Sequence, residues 1–352
     1  MKKILIAVIL IVTAGLLQAK ITTKSQILSP ATDMPQIQLD DQSPLEEAHV
    51  LSIASLRQQS FPGSEITIEE TLPPGSNYKR YLTSYLSEGL KIFALLTIPN
   101  AEPPAAGFPA IIFNHGYIPP AQYRTTERYV AYTDAFSRNG YIVFKPDYRG
   151  HGSSEGNPAG AYGSNAYTID VLNAASSIQK HPQVDAGKIG MWGHSMGGHI
   201  TLRSMVVSKD IKAGVIWAGV VASYPDLVNN WRRRNPSATA VVSGAPVPAG
   251  GRRWRDQLAA RYGAPEQNPD FWNSISANHY LSDISGPIQL HHGTADASVP
   301  VRFSLTLNKQ MENAGRTVEL FTYPGDDHNI AANLSTALNR SVAFFDKYLK
   351  AI

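Results

Sequence analysis

The sequence predicts an α/β fold: a mostly parallel central sheet with helices on both faces, an antiparallel hairpin at the N-terminal edge and an inserted cap. Three observations carry this. Short all-apolar runs such as 110–113 read as strands covered on both faces. Such runs alternate with helical stretches through most of the chain, the pattern of parallel strands joined by crossover helices. That rhythm breaks between 221 and 280, over a span far longer than an ordinary connection.

The elements follow in order. Lys2 and Lys3 precede an apolar run, 4–17, and then Gln18 and Ala19. The run is shorter than the roughly 20 residues of a membrane span, and its flanks are those of a secretory signal cut after Ala19. The expectation is a signal peptide over 1–19, export to the periplasm or the exterior, and no stable membrane span after cleavage. Residues 20–62 hold Pro30, Pro35, Pro44 and Pro62 and read as a linker with one short helix near 45–58. Period-two alternation marks a strand at 65–69, and 78–86 and 90–98 form hairpin arms turning at Glu88-Gly89. Strands then fall at 110–113, 141–144, 188–192, 211–217, 288–291 and 318–323. Helices fall at 128–138, 166–179, 198–207, 302–313 and 331–349. The catalytic domain is thus 63–352, with a cap over about 222–280 at the carboxyl edge of the sheet, where open α/β sheets bind ligands.

Composition narrows the classes. Apolar residues make up 43% and charged residues 17% of 352, which excludes a disordered chain, a coiled coil and a collagen-like rod. The absence of cysteine removes disulfides, thiolate metal sites and a cysteine nucleophile. The formal charge of +3 falls to +1 when Lys2 and Lys3 leave, so no global field attracts nucleic acid. Within 231–261 seven arginines (232, 233, 234, 252, 253, 255 and 261) face one acid, Asp256. They form either a surface for an anionic substrate or a solvated arginine face.

Two segments match Gly-x-Ser-x-Gly: 152–156 and 193–197. A nucleophile elbow needs a strand before the serine and a helix after it. Only the second has both, so Ser195 is the expected nucleophile and Ser154 a loop hydroxyl. A serine hydroxyl needs a base within reach and a third group to hold that base. In the α/β-hydrolase pattern the chain order is serine, acid, histidine. Asp296 follows the strand at 288–291, and His328 follows the strand at 318–323. These are the expected acid and base. Asp326 and Asp327 adjoin His328 too closely for easy side-chain geometry. Oxyanion donors are expected from the N–H of Met196, after the nucleophile, and of Tyr117, in the loop after the 110–113 strand. Among the other histidines, His194 and His199 flank the elbow and pack or line the pocket, while His291 and His292 close their strand. No histidine spacing suggests a metal site, and no metal or organic cofactor is implied. His194, Tyr224 and Trp231 are pocket candidates, and Trp217, Trp254 and Tyr280 belong to the same aromatic set, which also suits a core.

These residues resemble a known group. His115-Gly116, the run 147–153 (DYRGHGS), 193–198 (GHSMGG), 292–296 (HGTAD) and Asp327-His328 are similar, in order, to the catalytic domain of the prolyl oligopeptidase family of serine hydrolases. So are 270–272 (DFW) and 280–284 (YLSDI). The resemblance spans roughly 85–350. It implies an α/β-hydrolase fold with Ser195 as nucleophile, Asp296 as acid, His328 as base, and a short peptide as substrate. Large peptidases of that family carry an N-terminal propeller, where this sequence has residues 20–62 between the leader and the first strands. The His115-Gly116-Tyr117 loop also resembles that of acetyl esterases acting on decorated sugars, which implies a small ester as the alternative substrate. A non-catalytic binding protein on the same fold is a third reading, disfavoured by the intact catalytic positions.

Overall fold

The computed structural model describes residues 49–231 and 253–350, with Arg253 as backbone alone. The expected signal peptide, residues 20–48 of the linker and residues 232–252 of the cap lie outside the described residues, as do the arginines at 232, 233, 234 and 252.

Nine strands form one sheet in the order β1-β2-β3-β5-β4-β6-β7-β8-β9. The first three, β1 (Thr67–Leu72), β2 (Tyr78–Ser87) and β3 (Leu90–Pro99), are antiparallel, and β3 pairs antiparallel with β5 (Ile142–Pro146). The expected hairpin turns at Glu88-Gly89, both with positive φ, and lies in the antiparallel edge of the sheet, where β1 is the outermost described strand, with an irregularity in register between Ile68 and Glu70. From β5 onward the pairing is parallel, through β4 (Phe108–Asn114), β6 (Val184–His194), β7 (Ile211–Trp217), β8 (Ile288–Gly293) and β9 (Val318–Tyr323).

Strand periodicity builds two cores. Ala110 and Ile112 of β4 face one side with Met191 of β6. There they meet α3 (Ala166–Gln179), α4 (Met196–Val207) and α8 (Arg302–Asn313) through Val171, Leu202, Met205 and Phe303. Ile111 and Phe113 point the other way with Trp192 and Trp217, against Phe136 of α2 (Val130–Arg138) and Val342 and Phe345 of α9 (Leu334–Phe345). Phe113 and Trp192 stack at 4.2 Å between ring centroids. Burial of such side chains contributes roughly 2–3 kcal/mol each. Trp217 belongs to this second core and donates to Ser341 Oγ at 3.1 Å, so it is no pocket wall.

The short helix α1 (Ile53–Gln58) stands inside the range expected for it, capped by Ser52, whose hydroxyl accepts from Ser55 N–H at 3.0 Å. Between β7 and β8 the described chain forms α5 (Tyr224–Asn230), α6 (Arg253–Tyr262), α7 (Pro269–Ile275) and a 3-10 turn, Ala277–Asp283. Two bonds tie it to loops that leave the carboxyl ends of parallel strands. Tyr224 donates to the Tyr162 carbonyl at 2.7 Å, and Trp231 Nε1 to the Ser298 carbonyl at 3.0 Å. Among the described residues no helix is long and apolar enough to cross a membrane.

Candidate active site

Chain order along the sheet reverses between β4 and β6: the chain runs from β4 to β5 on one side and then to β6 on the other. Loops leaving two such strands diverge and open a crevice at their carboxyl ends. One loop, 114–120, carries Tyr117; the other is the elbow at Ser195.

Ser195 has φ 55° and ψ −114°, a conformation unfavourable for a residue with a side chain. Neighbouring backbone over-determines it. Ser195 N–H donates to the Trp217 carbonyl at 2.9 Å, and its carbonyl accepts from Gly198 and Val220, each at 3.0 Å. Glycines permit the surrounding crowding. A Cβ on Gly193 would lie 2.4 Å from the Gly197 carbonyl oxygen, and one on Gly197 only 2.0 Å from that of Asn114. Helix α4 therefore sits directly against the 114–117 loop, a contact reinforced by Asn114 Nδ2 donating to Thr201 at 2.8 Å.

His328 Nδ1 donates to Asp296 Oδ2 at 2.6 Å, a short charge-assisted bond. The other oxygen of Asp296 accepts from the N–H groups of Ser298 and Val299, at 2.7 and 2.9 Å. His292 Nε2 lies 3.2 Å from Asp296 Oδ2 and 3.0 Å from the Val299 carbonyl. Burial raises the carboxyl's affinity for a proton, but the bonds from His292, His328 and Val299 outweigh it and hold Asp296 below the usual carboxylate range. With Nδ1 so engaged, Nε2 of His328 is the nitrogen left for a substrate-side proton. Ser195 Oγ makes no hydrogen bond among the described residues, so the structure joins the expected acid to the expected base and leaves the contact of Ser195 with His328 unmade. Catalytic hydrogen bonds are often long before substrate binds.

Asp326 and Asp327 serve elsewhere. Asp326 accepts from the N–H groups of Asp327, Ala332 and Asn333 and from Asn333 Nδ2, while Asp327 accepts from Asn329 and Ala331. They shape the loop that carries His328. Ser154 is buried in an otherwise exposed loop and accepts from Phe93 N–H at 2.8 Å.

The N–H groups of Met196 and Tyr117 donate no hydrogen bond within the described residues. Residue 116 is held at both ends. Its N–H donates to the Tyr129 hydroxyl at 2.9 Å, and its carbonyl faces His115 Nδ1 at 2.7 Å. The Gly116 carbonyl and Tyr117 N–H belong to one peptide and point opposite ways. Holding the first therefore aims the second. His115 is stacked between Tyr123 and Tyr148, at 4.4 and 4.3 Å, and burial pushes its imidazole down to about 3. The Tyr117 side chain is 63% exposed and forms no buried wall.

The expected pocket residues are placed differently. His194 is buried with both ring nitrogens engaged: Nδ1 with Tyr129 at 2.8 Å and Nε2 with the His328 carbonyl at 3.0 Å. Tyr224 is buried with its hydroxyl spent on Tyr162. Both are packing and bonding groups, because their polar atoms satisfy neighbouring backbone or side chains. Trp231 and Trp254 are buried around Tyr162, at 5.5 and 5.6 Å, and the Arg255 guanidinium lies over both indoles. Two arginines of the expected cationic cap thus rest on aromatic rings, Arg255 here and Arg261 over Tyr262. Among the described residues no three His, Asp or Glu side chains gather as metal ligands.

Three groups escaped the reading from sequence: Tyr129, His115 as a holder of Gly116, and His292 beside Asp296. His292 was the most accessible, since adjacent strand residues face opposite sides and one of the His291-His292 pair must turn toward the Asp296 loop.

Sheet order, elbow and reversal point define an α/β-hydrolase. Its sequence matches the family model of serine aminopeptidase, S33, over residues 109–251 and that of the prolyl oligopeptidase family over 240–351, so the resemblance to that family holds. The uncharacterized peptidase YtmA of Bacillus subtilis is 25% identical over 72% of this chain and 88% of its own length. The probable dipeptidyl-aminopeptidase B of Fusarium vanettenii is 26% identical over 71% of this chain, which spans only 25% of that protein. Among solved structures, Pyrococcus horikoshii acylaminoacyl peptidase shares the fold with TM-score 0.62 and 21% identity, covering 79% of this chain and 43% of its own. The acetyl xylan esterase of Paenibacillus sp. R4 does so with TM-score 0.62 and 16% identity, covering 84% and 92%.

Proposed function

We propose that the chain is a serine hydrolase that cleaves a short peptide or related amide through an acyl-enzyme. The observation that carries the proposal is the 2.6 Å bond from His328 Nδ1 to Asp296, at the rim where the strained Ser195 turn emerges. Ser195 Oγ attacks the carbonyl as His328 Nε2 takes its proton. Asp296 holds the imidazole tautomer and stabilises its charged form. The N–H groups of Met196 and Tyr117 receive the oxyanion. His328 then protonates the leaving amine, and water activated by the same nitrogen releases the acyl group. The peptide reading is supported by the family matches and by the relative named a peptidase in Bacillus subtilis.

A second reading, hydrolysis of small acyl esters on the same residues, is favoured by the His115-Gly116-Tyr117 loop and by the likeness to an acetyl xylan esterase over nearly all of that enzyme's length. A fluorophosphonate probe should label wild type at Ser195 and leave Ser195→Ala unlabelled. Turnover of alanyl-para-nitroanilide against para-nitrophenyl acetate separates the two substrate classes. We also propose export through residues 1–19, supported by the basic, apolar and small-residue order of that segment. A mature N-terminus other than Lys20 or its near neighbours would overturn it.

A further inference from the structure

Tyr129 lies far from Ser195 in sequence, yet its hydroxyl sits between two parts of the candidate site. Gly116 N–H donates to it at 2.9 Å, and His194 Nδ1 lies 2.8 Å from it. His194 Nε2 is in turn 3.0 Å from the carbonyl of His328. The acceptors along this path assign the protons. Burial, with the neighbouring His328 adding to it, pushes His194 down to about 3, so the ring is neutral and has one N–H. A carbonyl cannot donate, so that proton is on Nε2. Nδ1 is bare and accepts from the Tyr129 O–H, whose oxygen lone pair receives Gly116 N–H. The chain of bonds runs one way: Gly116 N–H to Tyr129, Tyr129 O–H to His194, His194 N–H to His328.

The backbone supports a specific placement. Arg128 and Tyr129 are consecutive non-glycine residues with left-handed φ, 55° and 53°, a costly arrangement that persists only where its surroundings fix it. The ring meets Phe113 and Tyr132 edge-on, at 5.5 Å each, which aims the hydroxyl into the gap between the 114–117 loop and His194.

Resting on the serine hydrolase reading above, we propose that Tyr129 is a positioning residue: through Gly116 on one side and His194 on the other, its hydroxyl sets the oxyanion donor and the loop of the catalytic base in a fixed relation. Tyr129 touches no reacting atom. It holds the residue before the Tyr117 N–H and, at one remove, the main chain of His328.

The test is Tyr129→Phe, which keeps the ring and removes the bridge. Losing an oxyanion donor costs about 10²–10³ in kcat, and loosening one should cost about 10–100-fold, with KM changed less than about twofold. A purely structural tyrosine would lower the unfolding midpoint and leave kcat of the folded enzyme at the wild-type value, which would overturn the proposal. In a double-mutant cycle, Tyr129→Phe placed on His194→Leu should cost less than Tyr129→Phe alone, because only the Gly116 arm remains to be lost, and fully additive losses would overturn the coupling. Nitrogen NMR of the wild-type protein gives an answer even where the variant does not fold: His194 should carry its proton on Nε2, and the opposite tautomer sinks the relay. Wild type that resists a fluorophosphonate would mark failure of the hydrolase reading; labelled wild type with an undiminished Tyr129→Phe marks failure of the relay.

Discussion

Two loops of this molecule spell Gly-x-Ser-x-Gly, and they have opposite structures. At 152–156 the serine hydroxyl is buried and accepts Phe93 N–H, joining a loop to β3. At 193–197 the hydroxyl makes no hydrogen bond among the described residues, while the backbone beneath it is strained and pinned by Trp217, Gly198 and Val220. The first hydroxyl serves the packing of its own loop. The second is left bare by a strand and a helix that cannot meet any other way. The proposed nucleophile is thus the hydroxyl left unbonded, and its reactivity depends on the base proposed beside it.

Substitution can break that contrast. Ser195→Ala should reduce kcat by about 10⁶, the scale of losing a nucleophile, whereas Ser154→Ala should keep kcat and lower unfolding free energy by about 1–3 kcal/mol, since it orphans the Phe93 N–H. Steady-state kinetics and urea titration read the two effects. Next in size, Asp296→Asn should lower kcat by about 10⁴ with substrate binding retained. Asp327→Asn should leave kcat within about threefold, since its amide oxygen can still accept from Asn329 and Ala331. A large loss at Asp327 instead would reassign the acid.

The glycines sharpen the same comparison. Gly197→Ala would drive a methyl to 2.0 Å from the Asn114 carbonyl, so the helix must leave the oxyanion loop. We expect activity reduced at least tenfold together with a lower melting temperature. Gly156→Ala meets only the end of Leu90, at 2.9 Å, and its cost is the left-handed φ of 82°, about 1–2 kcal/mol without loss of kcat.

A separate effect concerns pH. Burial pushes His115, His194, His199 and His291 down to about 3 in the folded protein. Unfolded histidine titrates near 6.5, so between these values the unfolded chain holds more protons and is favoured as pH falls. Stability is therefore complete above pH 6.5 and drains away toward pH 3. Urea midpoints at pH 7.5, 5.5 and 4.5 should decline in that order, and His291→Gln should flatten the slope by about one proton.

Much of this was legible in the sequence because it depends on local periodicity. β7, α3, α8 and β9 fall within the expected limits, since each has clear apolar spacing and a defined stop. The strand–serine–helix context separated Ser195 from Ser154. Two loops following consecutive parallel strands necessarily open at the same rim, which brought Asp296 and His328 within reach of each other. What escaped was bonding between side chains and backbone across the sheet. Nothing in the spacing of Tyr129 ties it to Gly116, because that contact exists only once β4, α2 and β6 have packed. The aromatic residues were ambiguous for a related reason: Trp217 and Trp231 have the same composition signal, and only the face of the sheet distinguishes core from cap.

The irregular register of β1 has a consequence for life in a crowded solution. An open sheet ends in unpaired amide and carbonyl groups, which invite another chain to add a strand. Here the outermost described strand shifts its register between Ile68 and Glu70, so a second molecule approaching edge-on meets mismatched spacing. An irregular edge of this kind works against strand addition at that flank.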